Sequence, residues 1–321
     1  MANSERDQSK QIKARFIEPM LSLAVSKLPA GPAWSYELKF DGYRALGLKT
    51  ENRIQLLSRN GKDFTRRFSP LAAALEKLPG ETVVDGEIVA YDTQGRPSFN
   101  VLQNHRSGGP ELQFYAFDLI TLQGADLTQE PLEKRRTLLQ TKVMPRLPEC
   151  IRYSEALEAA PADLIEAVRE QSFEGIVAKR RDSRYEPGKR SGAWQKMRVL
   201  QSGDFLIGGY TPAGRNFDGI LIGDYNGGAL IYVAKVHSGF TPALRHSLFK
   251  KFDGLASNRC PFENLPELRH GQWGEGLTAA QMEKCRWLKP QLVARIEYLE
   301  WTAAHHLRHA NFAGIISGTR P

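Results

Sequence analysis

Cysteine is scarce in this chain: Cys150, Cys260 and Cys285 are the whole complement, odd in number, far apart and in no C-x-x-C pair. That excludes a disulfide framework and a zinc site built on thiolate pairs. No run of about eighteen apolar residues exists, so no segment is long enough to cross a membrane as a helix. The opening stretch MANSERDQSKQIKAR has no apolar centre of the kind a signal peptide needs, and residues 1–15 read as a polar tail on a cytoplasmic protein. Internal repeats and low-complexity tracts are absent as well. Acids are the deficient sign of charge, 36 against 44 lysines and arginines, for a formal charge of +8. Such a balance favours a polyanionic partner without naming one. One histidine-rich stretch, HHLRH, sets His305 and His309 a helical turn apart but supplies no acidic third ligand, so it reads as surface or packing rather than a metal site.

What is present is a chain of ordinary globular composition, 41% hydrophobic and 25% charged, and 321 residues are enough for two domains. From Tyr36 to Thr50 the residues alternate as a strand does, turn at ENR, and return as IQLLSRNG. Helical spacing marks SPLAAALEKLPG, PLEKRRTLLQTKV and ADLIEAVREQSF. The runs ETVVDGEIVAYD and LQFYAFDLITLQG are β-rich, and EGIVAKRR and GAWQKMRV read as short strands around a glycine- and arginine-rich loop. Beyond about Gly203 come short strands with glycine turns, a helix expected over 241–255, and the late strand LVARIEYLEWT. Five strands around one helix is the content of a small OB-type barrel.

The stretch YELKFDGYR places Lys39 among apolar residues, two before Asp41 and five before Arg44. A lysine in a cleft, desolvated and beside other cations, loses its proton more readily and becomes a nucleophile toward an electrophile such as phosphorus. Alone, the pattern serves equally well for a strand lysine reaching to solvent while Asp41 pairs with Arg44. The remaining segments tip that balance. KFDGYR, LLSRNGKDFT, VVDGEIV, FYAFDLI, EGIVAK and WQKMR follow one another in the order of the core motifs of the covalent nucleotidyltransferases, and EWTAAHHLRHANFAG follows them in the C-terminal part. The chain, from about Phe16 to Gly314, resembles the ATP-dependent DNA ligases, most of all the ligase modules of bacterial end-joining enzymes.

The resemblance implies an α+β nucleotidyltransferase (adenylation) domain, residues 16–200, with antiparallel sheets and flanking helices, followed by a C-terminal OB-fold β-barrel, residues 201–321. It implies ATP as co-substrate, with Mg2+ or Mn2+, and a nicked or broken double-stranded DNA as partner. Lys39 is then the catalytic nucleophile, with Lys179 and Lys196 at the α-phosphate. Glu37 accepts from the adenine amino group, Phe117 stacks on the base, and Arg44 and Arg59 hold phosphate. Glu174 and Glu87 are the metal candidates, Glu87 alternatively a ribose ligand, and Arg308 a cation from the barrel. The arginine- and lysine-rich run Lys179–Arg190 reads as a DNA-backbone surface. The same likeness suggests a monomer, nucleoid-associated, with a bacterial Ku-type end-binding protein as a partner that the residues themselves do not identify. An RNA ligase, a capping-type nucleotidyltransferase and an inactive DNA-binding relative share much of this pattern and stay open at this point. Two departures stand out: Arg198 where the sixth motif usually has a second lysine, and IISGTRP, with Ile316 near the expected arginine, where a basic run usually ends the barrel.

Overall fold

The computed structural model describes residues 11–92, 95, 97–105, 111–171, 173–267, 276–302 and 304–316. It divides into two compact units, Met1–Val199 and Leu200–Pro321. Among the described residues no helix is long and apolar enough to cross a membrane.

The first unit is built on two sheets. The smaller has four strands in the order Leu23–Ala24, Trp194–Arg198, Gly175–Arg180 and Trp34–Lys39. The larger runs Ile54–Ser58, Tyr43–Lys49, Thr82–Ala90, Leu112–Leu122 and Ala125–Asp126, with Ile151–Tyr153 parallel to Leu112–Leu122. The chain passes from the first sheet to the second within three residues, Phe40, Asp41 and Gly42. Glycine is required there: a Cβ on Gly42 would come within 2.2 Å of the Ile88 carbonyl oxygen. Lys39 therefore ends one sheet, and Arg44 begins the other.

Burial follows the expected periodicities. Thr82–Ala90 is covered on both faces, as a central strand under a helix should be, and only Glu87 is partly exposed. The helix Ser69–Leu75 closes one side with Leu71 and Leu75 against Ala45, Leu56 and Val84. The helix Pro161–Glu170 lays Leu164 and Val168 on Tyr36, Ile176 and Ala178 of the smaller sheet.

In the second unit the thirteen-residue strand Gln201–Ala213 is the spine. It pairs throughout most of its length with Asn216–Asn226. On its other edge it takes Val293–Tyr298 along residues 201–206 and Arg286–Leu288 at residues 209–210. Ala229–Val236, Ala256–Ser257 and Asn311–Ile316 extend the sheet, and the curled surface encloses Phe205, Ile207, Phe217, Ile222, Phe252 and Phe312. The helix Pro242–Lys250, capped by Thr241, whose Oγ1 accepts from the Leu244 N–H at 3.2 Å, ends at Lys250 rather than 255, and a short second helix follows at Ala279–Met282.

In HHLRH, His305 and His309 are exposed, in keeping with a surface role, but their spacing is not that of a helix: both have positive φ, 57° and 55°, and Glu300–Trp301 pairs with Leu307–Arg308 as a short ribbon. It is His306 that is buried, its Nε2 2.8 Å from Glu267. Ile316, near the position of the expected arginine, pairs with Val293 and packs against the apolar cluster around Leu206 and Leu221. Arginine there has to bury a charge or turn the strand's last residue outward, so Ile316→Arg should lower stability by about 1–3 kcal/mol. A melting curve unchanged from wild type would contradict that packing.

Candidate active site

Between the two sheets of the first unit lies a cavity of about 470 Å³, within the range of small-ligand sites. Its walls carry seven lysine or arginine side chains and only two carboxylates, Glu37 and Glu87. Such a wall suits a polyanion.

Strand register arranges the floor in three rungs. Lys39 faces Gly175, and Gly175 faces Arg198. One rung deeper Glu37 faces Val177 and Val177 faces Lys196; deeper again Ser35 faces Lys179 and Lys179 faces Trp194. Facing residues share one side of a sheet, and each two-residue step advances about 6.5 Å. A Cβ on Gly175 would sit 2.1 Å from the Met197 carbonyl oxygen, so the bare backbone is what lets these strands close beside the nucleophile.

At the outer rung Lys39 is 16% exposed and forms an ion pair with Glu174, whose other oxygen accepts from the Arg198 Nε–H at 3.0 Å. Arg198, the departure from the usual second lysine, thus supports the carboxylate that faces Lys39. Lys196 lines the same cavity, and its ammonium pKa is lowered by burial and by the charges of Lys39, Arg198 and Arg190. Arg59 lines the cavity from an exposed turn after Ile54–Ser58.

Glu87 has its carboxyl pKa pushed up to about 8, chiefly by burial, with Lys39 and Arg44 pulling the other way. The folded protein then holds a proton on Glu87 that the unfolded chain sheds near the ordinary carboxyl value. That contribution to stability is full below about pH 4.5 and fades as pH rises through about 8. Glu87→Gln, which fixes the neutral form, should flatten the decline in unfolding free energy across that window. Parallel stability profiles for the two proteins would rule the shift out.

Arg44 has a resident carboxylate partner that the sequence did not show, and Lys179 stands two rungs from Lys39. Arg44 forks onto Asp85, Nε at 3.0 Å and Nη2 at 2.6 Å, and donates to the Met20 carbonyl at 2.6 Å. Asp85 is fully buried and also accepts from the Tyr185 hydroxyl at 2.7 Å. Arg44 still lines the cavity, with two N–H groups left over once these bonds are made. Lys179 is neither beside the nucleophile nor on a DNA-facing surface: it is 3% exposed, two rungs from Lys39, with its Nζ 2.8 Å from Glu37 and 4.2 Å above the Phe117 ring. Arg180, Arg181, Arg184, Lys189 and Arg190 are the exposed members of that run.

This inner end gathers Glu37, Phe117, Lys179, Trp194 and Ser154, all lining the cavity. The Ser154 hydroxyl donates to Glu37 Oε2 at 2.8 Å. Although Lys179 stands at ion-pair distance from Glu37, among the described residues neither Lys179 Nζ nor Glu37 Oε1 makes a well-directed hydrogen bond, and the Trp194 indole N–H has no partner there. Arg308, the candidate from the second unit, pairs with Glu300 at 2.8 Å.

Sequence reasoning passed over Asp85, Arg136, Tyr185 and Trp194, and marked Arg198 only as a departure from the motif. Arg136 had a signal: Leu132, Arg135, Arg136 and Leu139 fall at i, i+3, i+4 and i+7, the buried stripe of their helix, and all four are indeed buried.

Comparison with known proteins places this geometry. The family model described as ATP dependent DNA ligase domain matches residues 15–198, and that of the ATP dependent DNA ligase C terminal region matches 213–317. The multifunctional non-homologous end joining protein LigD of Pseudomonas aeruginosa is 32% identical over 95% of this chain, which spans only 37% of that relative's length. DNA ligase C1 of Mycolicibacterium smegmatis is 31% identical over 88% of this chain and 83% of its own. A solved structure of mycobacterial DNA ligase D, complexed with ATP and MES, is 30% identical with a TM-score of 0.55, covering 94% of this chain and 95% of that one. With a family match over well over half of its residues and the nucleotidyltransferase fold in place, this chain belongs to the ATP-dependent DNA ligases.

Proposed function

We propose that this chain seals breaks between 3′-hydroxyl and 5′-phosphate ends of duplex DNA in end-joining repair, with Lys39 as the residue that carries AMP. The observation that supports it most is the placement of Lys39 at the outer rung of a cation-lined cavity whose inner end offers an aromatic face, an acceptor and a donor.

The base lies at the inner end against Phe117, its amino group toward Glu37 and Ser154. The triphosphate then runs outward along the rungs to Lys196 and Lys39. Lys39 leaves its ion pair with Glu174, gives up its proton and attacks the α-phosphorus; the bond to pyrophosphate breaks, and AMP stays on Nζ. The 5′-phosphate of the break, held by Arg44 and Arg59, attacks the same phosphorus and releases Lys39. Attack by the neighbouring 3′-hydroxyl then expels AMP and closes the strand. Lys196 lies where charge builds up in each displacement.

Among the described residues no group of three or more histidine, cysteine or acidic side chains forms a self-sufficient metal cage. Mg2+ needs no such cage, being held by one or two carboxylates together with substrate phosphates and water. Glu174 and Glu87, electrostatic neighbours beside Lys39, provide two hard oxygen donors of that kind. When bound there, Mg2+ or Mn2+ supplies neutralisation of phosphate charge. The proposal includes delivery to ends by a Ku-type end-binding protein in the nucleoid and a contribution from Arg308, both on family likeness.

The test is incubation with α-labelled ATP or GTP, followed by nicked DNA. ATP-derived, acid-labile and alkali-stable label on the protein that passes to the DNA and is lost on sealing is the expected result. No label, or label from GTP in preference to ATP, overturns the reading.

A further inference from the structure

The guanidinium of Arg136 contacts three of the residues that line the cavity's inner end, Glu37, Phe117 and Ser154. Its Nη1 lies 2.7 Å from Glu37 Oε1 and donates to the Phe117 carbonyl at 3.1 Å; its Nη2 donates to the Ser154 carbonyl at 2.6 Å. Phe117, Ser154 and Glu37 come from three different segments, and Arg136 is the only side chain among those described that bonds or pairs with all three. The side chain is 7% exposed and rests on Tyr153, Cζ 4.7 Å from the ring centroid.

The consequence concerns Glu37 and Lys179. A buried carboxylate and ammonium left to themselves close into a fully directed hydrogen bond, because each then regains what burial removed. Here Glu37 Oε1 is shared by two cations at 2.7 and 2.8 Å, and neither it nor Lys179 Nζ completes a directed hydrogen bond. The acceptor and the donor both keep capacity. That is the combination an adenine edge requires: its 6-amino group donates, and its N1 accepts. Guanine presents the reverse at both positions.

We infer that Arg136 is a positioning residue for nucleobase selection, holding Glu37, Ser154 and Phe117 in place and preventing Glu37 and Lys179 from satisfying each other. The inference rests on the reading of the cavity as an ATP site, and it assigns adenine selectivity to a residue outside the cavity.

The experiment compares self-nucleotidylation with ATP and with purine riboside triphosphate, which lacks only the 6-amino group. Wild type should prefer ATP by tenfold or more in kcat/KM, since the hydrogen bond lost is one to a charged group. In Arg136→Met the preference should fall to within about threefold, with the change in KM. Arg136→Lys, which keeps the charge but cannot span three acceptors, should recover part of it. If Arg136→Met does not fold, Arg136→Gln carries the test, because its amide can still donate to a carbonyl yet brings no charge to Glu37. A variant in which both nucleotides slow together at the wild-type ratio shows that Arg136 only supports the fold, and overturns the inference. Wild-type protein that takes label from neither nucleotide contradicts the ATP-site reading itself, a result distinct from the first.

Discussion

Lys39→Ala should take no label from ATP, a loss on the order of 10⁴-fold or more, because no other amine stands at the outer rung to replace the nucleophile. Lys196 lines the same cavity, but it sits a rung deeper, opposite Val177. The substitution should disturb the fold little. Glu174 loses one partner and keeps Arg198 at 3.0 Å, so no carboxylate is stranded. A variant that melts like wild type, fails to charge, and still closes DNA supplied with a pre-adenylylated 5′ end isolates the first step. Undiminished labelling of Lys39→Ala would remove Lys39 from its role, and would point to a lysine elsewhere on the chain.

The alternation in YELKFDGYR and the β-rich character of EGIVAK and WQKMR were legible because a pleated strand imposes period two on whatever it buries. What that period could not show is which strands would be neighbours. Lys39, Gly175 and Arg198 form one rung only after two antiparallel pairings, one of them between segments more than a hundred residues apart. The same pairings set Lys179 two rungs from Lys39, although it shares a motif with Glu174 and stands only five residues beyond it. Arg44 illustrates a different limit: a guanidinium fork suits phosphate and carboxylate equally, so the residue type was read correctly and its resident partner, Asp85, was not. The backbone of the histidine stretch was not legible either. Helical spacing presumes helical φ, and His305 and His309 occupy the left-handed region instead. Arg136 was hidden by habit about charge. Its position on the apolar stripe of the helix outweighs its polarity, because three acceptors wait on that side.

Arg44→Ala should lose transfer of AMP to a nick, and the structure supplies two separate reasons. The first is chemical: two N–H groups left over from the bonds to Asp85 and Met20 are removed from the cavity wall that is proposed to hold the 5′-phosphate. A hydrogen bond to a charged group is worth about 1.5–3 kcal/mol, or at least roughly tenfold in rate. The second is structural. Asp85 is fully buried, and without Arg44 its carboxylate keeps only the Tyr185 hydroxyl, a loss that costs about 3–5 kcal/mol when a buried pair is broken from one side. The single variant therefore confounds a weakened fold with a weakened site. Arg44→Ala combined with Asp85→Asn separates them, since the amide carries no charge to strand and can still accept from Tyr185. The double variant should regain most of the lost stability, while transfer to the nick stays at least tenfold below wild type and self-adenylylation is substantially kept. If transfer recovers together with stability, Arg44 serves Asp85 rather than the phosphate, and Arg59 becomes the cation to test.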